Sequence, residues 1–451
     1  MSDVLLLTVL LAASRATAPA AAPPPSPDGA TLTVQRAVEL ALARAPEIAA
    51  ARAAADEAAG AVRETESPRK PHFSVNSTPG YSTGLPLSVA GEVPSAAGAR
   101  LSMTLYDPYS ASDTLEARAG AAAAQGVVDQ ARADVARRTA AACARLSSDE
   151  ARAASARRRV EAREAIARQE GALAREGRRT ELDVERAGLE EARARQKLYA
   201  AESDRDLDRH ELALLIGRPA GAALTISGDP AEAVPAPDGD GTADRAIARD
   251  PKWKALGRQA DALSRSAKLL AQTFKPSVNA EARYAYVPRG FGYDKYYLSF
   301  QENVASVGVS VVLPLLTGGR EAAQQARSRA RLEQVLAERS EREADLARAS
   351  RQAEARLAQT SLETGIARRA AALGEEALSQ ARAVAREGRG EADGVERAQL
   401  ALADAEDDLA RARREEVEAR LELLGLRGEL LSTLGAQARD ASGVPESSSR
   451  P

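Results

Sequence analysis

The chain is short of most things that an ordinary globular enzyme uses. Its 451 residues include one cysteine, two histidines and one tryptophan, and aromatics make up only 3% of it. A single thiol, Cys143, rules out an intrachain disulfide and any cysteine-based zinc cage. His72 and His210 are far apart and make a poor metal pair. So few aromatics cannot furnish several compact cores. A formal charge of −3 is close to balance and gives no bulk electrostatic case for nucleic acid. No run of 18 apolar residues occurs outside the N-terminus, which excludes a spanning helix. Nor does an enzyme constellation appear. Cys143 sits in the alanine-rich stretch AAACARL with no histidine nearby and reads as a packing residue. Gly318-Gly319 lacks the Lys-Ser/Thr pair of a phosphate loop and reads as the turn into a helix. His72 reads as interfacial, His210 as solvated and Trp253 as core. The expectation is a chain with no catalytic, metal or cofactor site.

What the chain does have is alanine, arginine, glutamate and leucine in long proline-free segments, and one stretch that occurs twice. Residues 174–187 read AREGRRTELDVERA and residues 385–398 read AREGRGEADGVERA. A glycine followed by polar residues between two helical patterns is a helix-turn-helix tip. Other landmarks repeat as well. Pro46 matches Pro251 and Lys70-Pro71 matches Lys275-Pro276 at an offset of 205, and Pro108 matches Pro314 at 206. The chain is therefore read as a tandem duplication of a unit made of helix, two strands, long helix, tip and shorter helix.

The expected boundaries follow. Residues 1–18 are a signal peptide ending in the small-x-small site Ala16-Thr17-Ala18, although Asp3 stands where a basic residue is usual. Residues 19–30 are a Pro-rich leader. The first repeat is 31–217, with strands at about 72–108, a helical hairpin at 111–216 and its tip at about 177–181. An equatorial linker at 218–243 contains one short strand near Leu224 and Ile226. The second repeat is 244–435, with strands at about 276–316, a hairpin at 319–434 and its tip at about 388–393. Residues 436–451 form a disordered tail. Each long helix would be about 100 Å at roughly 1.5 Å per residue, more than a compact domain needs. In the second, Val335, Leu346 and Leu357 lie 11 apart, as do Leu362, Leu373 and Val384. That period, about 3.67 residues per turn, belongs to straight helices that can pack side by side into a sheet or tube.

The strands hold the aromatics. Twelve of the fourteen fall within residues 71–110 and 274–316. Leu101, Met103 and Leu105 alternate with Ser102, Thr104 and Tyr106, and Val278 to Tyr286 alternate in the same manner. Tyr106, Tyr109, Tyr284, Tyr286, Tyr293, Tyr296 and Tyr297 cluster at the strand ends, as interface aromatics do on a transmembrane β-barrel. Four strands cannot enclose a pore, so the chain must oligomerise, and three copies would supply twelve strands.

With these features placed, the sequence resembles the outer-membrane efflux protein family, the TolC-like channels. The resemblance rests on LTVQRAVELALARAPEI at 32–48, the turn LPLLTGGREAAQQAR at 313–327, the tips with Gly177 and Gly388, and the helix ends at Leu215-Ile216-Gly217 and Leu434-Gly435. It spans residues 30–217 and 243–435. It implies a mainly α fold with a transmembrane β-barrel portion: a homotrimer whose twelve-stranded barrel in outer-membrane lipid joins a twelve-helix periplasmic α-barrel. The implied function is a passive outer-membrane export channel fed by a periplasmic adaptor and an inner-membrane transporter, with the cargo set by that transporter. The implied tip and adaptor contacts are Gly177, Arg178, Arg179, Asp183, Gly388, Arg389, Glu391 and Asp393. Gly394 departs from the family where many members carry aspartate, which puts an acidic gate in doubt. The alternative is a periplasmic coiled-coil structural or adaptor protein without a pore, whose strands would not insert.

Overall fold

The structure is a computed structural model and describes residues 31–78, 95–219, 221–237, 242–271, 276–287, 301–314, 318–387 and 393–435. The expected leader segments and tail lie outside these residues. Two long helices run through the whole molecule: α3 over Pro108–Arg175 and α8 over Arg320–Arg386. Alanine is the best helix former, and a continuous run of Ala, Arg, Glu and Leu explains why neither helix breaks. At 68 and 67 residues, each is about 100 Å long by the rise of an α-helix.

Shorter helices flank them in two tiers. On the tip side stand α4 (Glu181–Leu215) and α9 (Gly394–Leu426). Toward the sheet stand α2 (Pro46–Glu66) and α7 (Pro251–Leu270), which are preceded by α1 (Val34–Arg44) and α6 (Thr242–Arg249). In the lower tier α4 packs on α3, α3 on α9, and α9 on α8. In the upper tier the order is α2, α3, α7, α8. At every level the chain thus presents a single layer of four helices whose two outer members lack a neighbour on one side among the described residues.

The duplication extends to the joints between tiers. Gly217 ends α4 with φ +68°, and its carbonyl accepts a hydrogen bond from Arg44 at 2.9 Å. Gly428, 211 residues later, ends α9 with φ +64°, and Arg249, the counterpart of Arg44, pairs with the adjacent Glu429 at 2.7 Å. Both turns carry the paired bonds of a Schellman cap: Arg218 N–H to Ala213 O at 2.8 Å, and Glu429 N–H to Leu424 O at 3.0 Å. This corrects the sequence expectation for the second hairpin, which placed its helix end at Leu434-Gly435. The helix stops at Leu426, and a four-residue helix α10 (Leu430–Thr433) follows it.

Large aliphatic side chains are concentrated at mid-height. Val38, Val135, Leu146, Leu212, Ile216, Leu224, Val234, Leu421, Leu430 and Leu434 form one buried cluster around the middle of α3. The interhelical segment contributes a two-residue strand β4 (Thr225–Ile226), which pairs in parallel with β1 (Thr31–Leu32), and a short helix α5 (Pro230–Ala233). Burying one such side chain is worth about 2 kcal/mol. Alanine seams elsewhere offer much less, so this girdle fixes the register between the two hairpins. Cys143 is fully buried in it, and burial pushes its thiol up to about 12, which accords with a packing role. Trp253 differs from expectation: it is half-buried between α7 and α8, beneath the Arg339 guanidinium, 4.1 Å from the ring centroid.

Candidate functional site

Two regions carry chemistry that packing alone does not absorb: the sheet above the helices and the turns below them. The sheet has four strands among the described residues, β2 (His72–Thr78), β3 (Ser95–Tyr106), β5 (Ser277–Tyr286) and β6 (Asn303–Val312). They lie in the order β2-β3-β5-β6, all antiparallel, and each joins its helix at the same end of the sheet. His72 opens β2, tied to Ser67 at 2.9 Å and to the Lys70 carbonyl at 2.8 Å.

Register decides which residues share a face, since side chains alternate along each strand. Phe73 pairs with Leu101, Leu101 with Ala282 and Ala282 with Val307; Met103 pairs with Ala280, and Ala280 with Val309. This face is apolar and open to solvent, with Val307 at 87% exposure. On the other face Ser74 pairs with Arg100, Ser102 with Glu281 and Thr104 with Asn279. There Arg100 binds Glu281 at 2.8 Å, Arg283 binds Glu281 at 2.5 Å, and the Thr104 hydroxyl donates to Asn279 at 2.9 Å. The sheet is thus inverted relative to a soluble one: its polar face is knitted together, and its apolar face is bare.

One detail corrects the alternation read from sequence. A bulge between Thr104 and Tyr106 inserts Leu105, so Tyr106 pairs with Val278 and joins the apolar face instead of the polar one. Tyr284 and Tyr286 share that face at the opposite end, where the Tyr284 hydroxyl donates to Asn303 at 2.7 Å. Tyr109 lies beyond the strands, in the first turn of α3, and its hydroxyl donates to Glu321 at 3.1 Å. Tyr293, Tyr296 and Tyr297 lie outside the described residues.

The first tip is built from a glycine and a capping box. Gly177 has φ +72°, and Arg178 N–H closes the cap onto Leu173 O at 2.9 Å. Thr180 then starts α4. Its backbone N–H and its hydroxyl both donate to Asp183, at 3.1 and 2.7 Å, and Asp183 N–H donates back to the hydroxyl at 3.3 Å. These bonds, aided by Arg179 and Arg186, hold the Asp183 carboxyl below the usual carboxylate range. Asp183 is therefore occupied as a helix cap, and the T-x-x-D spacing was the signal for it. Arg178 pairs with Glu176 at 3.5 Å and Arg179 with Glu170 at 3.0 Å.

At the second tip, Asp393 precedes α9 and is clasped by Arg397, whose Nε lies 2.8 Å from Oδ2. Arg397 is the main reason that its carboxyl is held below the usual range, and the field of Arg179 adds to it. Gly388, Arg389 and Glu391 fall outside the described residues. Thr180, Glu170 and Arg397 are the tip residues that sequence reasoning passed over.

A pair of substitutions separates the turn from the helix before it. Gly177→Ala forces a Cβ into a left-handed conformation and is expected to destabilise by about 1–2 kcal/mol. Gly171→Ala, in open space within α3, is expected to stabilise by about 0.5–1 kcal/mol. Thermal unfolding of the two variants should move in opposite directions.

No known family profile and no curated protein matches the sequence. Solved structures do match in shape. The outer membrane protein VceC from Vibrio cholerae aligns with a TM-score of 0.69 at 18% identity, covering 88% of this chain and 96% of that one. The CmeC outer membrane channel of Campylobacter jejuni aligns with a TM-score of 0.70 at 13% identity, covering 88% and 85%. The MtrE outer membrane channel of Neisseria gonorrhoeae, in its open state, aligns with a TM-score of 0.66 at 17% identity, covering 88% and 89%. At these identities the likeness is one of fold: the chain has the fold of TolC-like outer-membrane channels.

Proposed function

We propose that this chain is one protomer of a homotrimeric outer-membrane channel, with its helices extending into the periplasm. The observation that carries the proposal is the inverted sheet: a bare apolar face, a polar face with ion pairs, and two edge strands, β2 and β6, each with no further strand on its outer side among the described residues. In water such a sheet would be an aggregation hazard. In lipid it has its apolar face in hydrocarbon and its polar face toward a lumen. Because β2 and β6 run in opposite directions, β6 of one copy can accept β2 of the next. Three copies then close twelve strands above a tube of twelve helices.

The tyrosines fit this orientation. Tyr286 stands eight residues along β5 from Val278, the partner of Tyr106. Eight residues span about 27 Å along a strand, or about 20 Å after a tilt near 40°. That is close to the height of the apolar band between two aromatic girdles.

Export in this reading is passive. Transport then requires a periplasmic adaptor and an inner-membrane transporter, which meet the tube at its tips. Gly177, Arg178, Arg179, Asp183 and Asp393 are the described residues at that end, with Gly388, Arg389 and Glu391 beside them in sequence. The test is conductance in planar bilayers together with the mass of the purified protein in detergent. A trimer with discrete conductance steps is expected. A monomer without conductance would leave the poreless coiled-coil reading standing.

A further inference from the structure

The polar face of the sheet has a charge excess that its own pairing does not require. Arg100 of β3 stands directly opposite Arg283 of β5, in a row completed by Ser74 on one side and Ser306 on the other. Like charges placed opposite each other destabilise a strand pair. One carboxylate mediates between them. Glu281 Oε1 lies 2.8 Å from Arg100 Nε and 2.5 Å from Arg283 Nε, and its Oε2 lies 2.8 Å from Arg283 Nη2. A second carboxylate would complete the neutralisation, but the places for it on this face are filled by small neutral residues. Ser102 and Gly308 flank Glu281, Ser74 flanks Arg100 and Ser306 flanks Arg283. A Cβ added at Gly308 would meet nothing within 4 Å. The row nearer the helices is neutral too, with Thr104, Asn279 and Ser310. By continuation of the register, Glu302 stands opposite Val287, whose N–H its carbonyl accepts at 2.8 Å. It is four residues beyond the Ser306 row, or about 13 Å along the strand. The screening length at 0.1 M salt is about 10 Å. Among the described residues, each sheet therefore holds one net positive charge at the level of Arg100 and Arg283.

We infer that this cluster is the charge filter of the barrel: three copies of it make a positive ring in the lumen that favours anions over cations. The inference rests on the trimeric channel proposed above. Three-fold symmetry puts the clusters at one height, with three net positive charges among them. Twelve strands about 4.8 Å apart and tilted by about 40° have a circumference of about 75 Å, so the axis lies about 12 Å from the backbone. It is nearer still to guanidinium groups that project inward. Three charges at about 8 Å in water, screened over about one Debye length, enrich a monovalent anion on the axis by about threefold and deplete a cation equally. Glu281 thus has two roles. It staples β3 to β5, and it halves the charge of the ring.

Reversal potentials test the filter, with the purified full-length protein in planar bilayers of phosphatidylcholine, which has no net charge. A KCl gradient of about tenfold, centred near about 0.1 M, keeps the screening length comparable to the lumen radius. The wild type should pass chloride in preference to potassium. R283Q leaves a neutral Arg100–Glu281 pair and should lower the chloride-to-potassium permeability ratio by at least about threefold. E281Q removes the one carboxylate and should raise the ratio by a similar factor. R100Q removes the other cation of the cluster and takes the place of R283Q if that variant fails to insert. A purely structural cluster would change the yield of inserted protein in these variants and leave the reversal potential where it was. A conducting wild type that prefers potassium, or variants with the wild-type reversal potential, would overturn the filter and leave the channel standing. A wild type that never conducts would overturn the channel reading, and the filter with it.

Discussion

Replacing Val307 and Val309 together with arginine is expected to abolish assembly of the protein in the outer membrane. Both valines project from the middle of β6 on the bare face, opposite Ala282 and Ala280. An arginine on the lipid side of a barrel costs about 2–4 kcal/mol near the bilayer midplane, so the pair costs roughly 4–8 kcal/mol in each protomer. A small barrel has a total stability of the same order. The control lies one residue away. Ser310 pairs with Asn279 on the polar face, so Ser310→Arg puts the same charge into the lumen. It should insert normally and shift ion selectivity toward anions. The readout is the fraction of folded protein in outer-membrane extracts, followed by conductance. Equal insertion of the double variant and the wild type would mean that this face does not meet lipid.

The alternation behind this prediction was legible because a strand writes its two faces directly into sequence. What alternation does not encode is a change of register. The bulge at Leu105 moves Tyr106 from one face to the other without leaving a mark in composition. The end of α9 was obscured for a different reason. Arg427 occupies the position of Ile216 in the first repeat and is equally buried, so the charged residue hid a helix end that Leu434-Gly435 imitated. Asp183 shows a third kind of gap. Its spacing from Thr180 was a readable cap, but the resemblance to known channels drew it toward an adaptor contact. Contacts between hairpins could not be read at all. Arg152 of α3 and Asp407 of α9 lie 255 residues apart in sequence, and only the side-by-side packing of α3 and α9 brings them within 3.0 Å.

The 11-residue series shows how structure divides a pattern that sequence leaves whole. Val335 and Leu346 are buried and Leu357 is half-buried, whereas Leu362 and Leu373 are 70% and 71% exposed and Val384 is also exposed. The step of five residues between the two series turns the helix by about 140°, from the inner seam to the outer edge of the layer. With Ile366, the second series makes one apolar line along α8. The opposite edge of the layer has a matching line on α4, formed by Leu182, Leu189, Leu207 and Leu214, all exposed. Stripes of this kind on both free edges call for a second copy of the chain, α4 of one against α8 of the next. Levels counted from the tip set the pairing. Leu362 lies 24 residues from Arg386, the tip end of α8, and Leu207 lies 26 residues from Glu181, the tip end of α4. Both are about 36–39 Å above the tip at the helical rise. Leu362→Asp should therefore place a bare carboxylate against Leu207 of the neighbouring copy. The expected cost is about 3 kcal/mol or more at each of three interfaces, from lost burial and an unpaired charge. The trimer should dissociate in detergent at concentrations where the wild type stays whole. Adding Leu207→Lys supplies the missing cation only across the interface, since α4 and α8 of one chain are separated by α3 and α9. The L207K/L362D protein should regain much of its trimeric mass, while L207K alone should be as defective as L362D. Failure of the pair to restore assembly, with each single variant dissociated, would mean that the tube closes in another register.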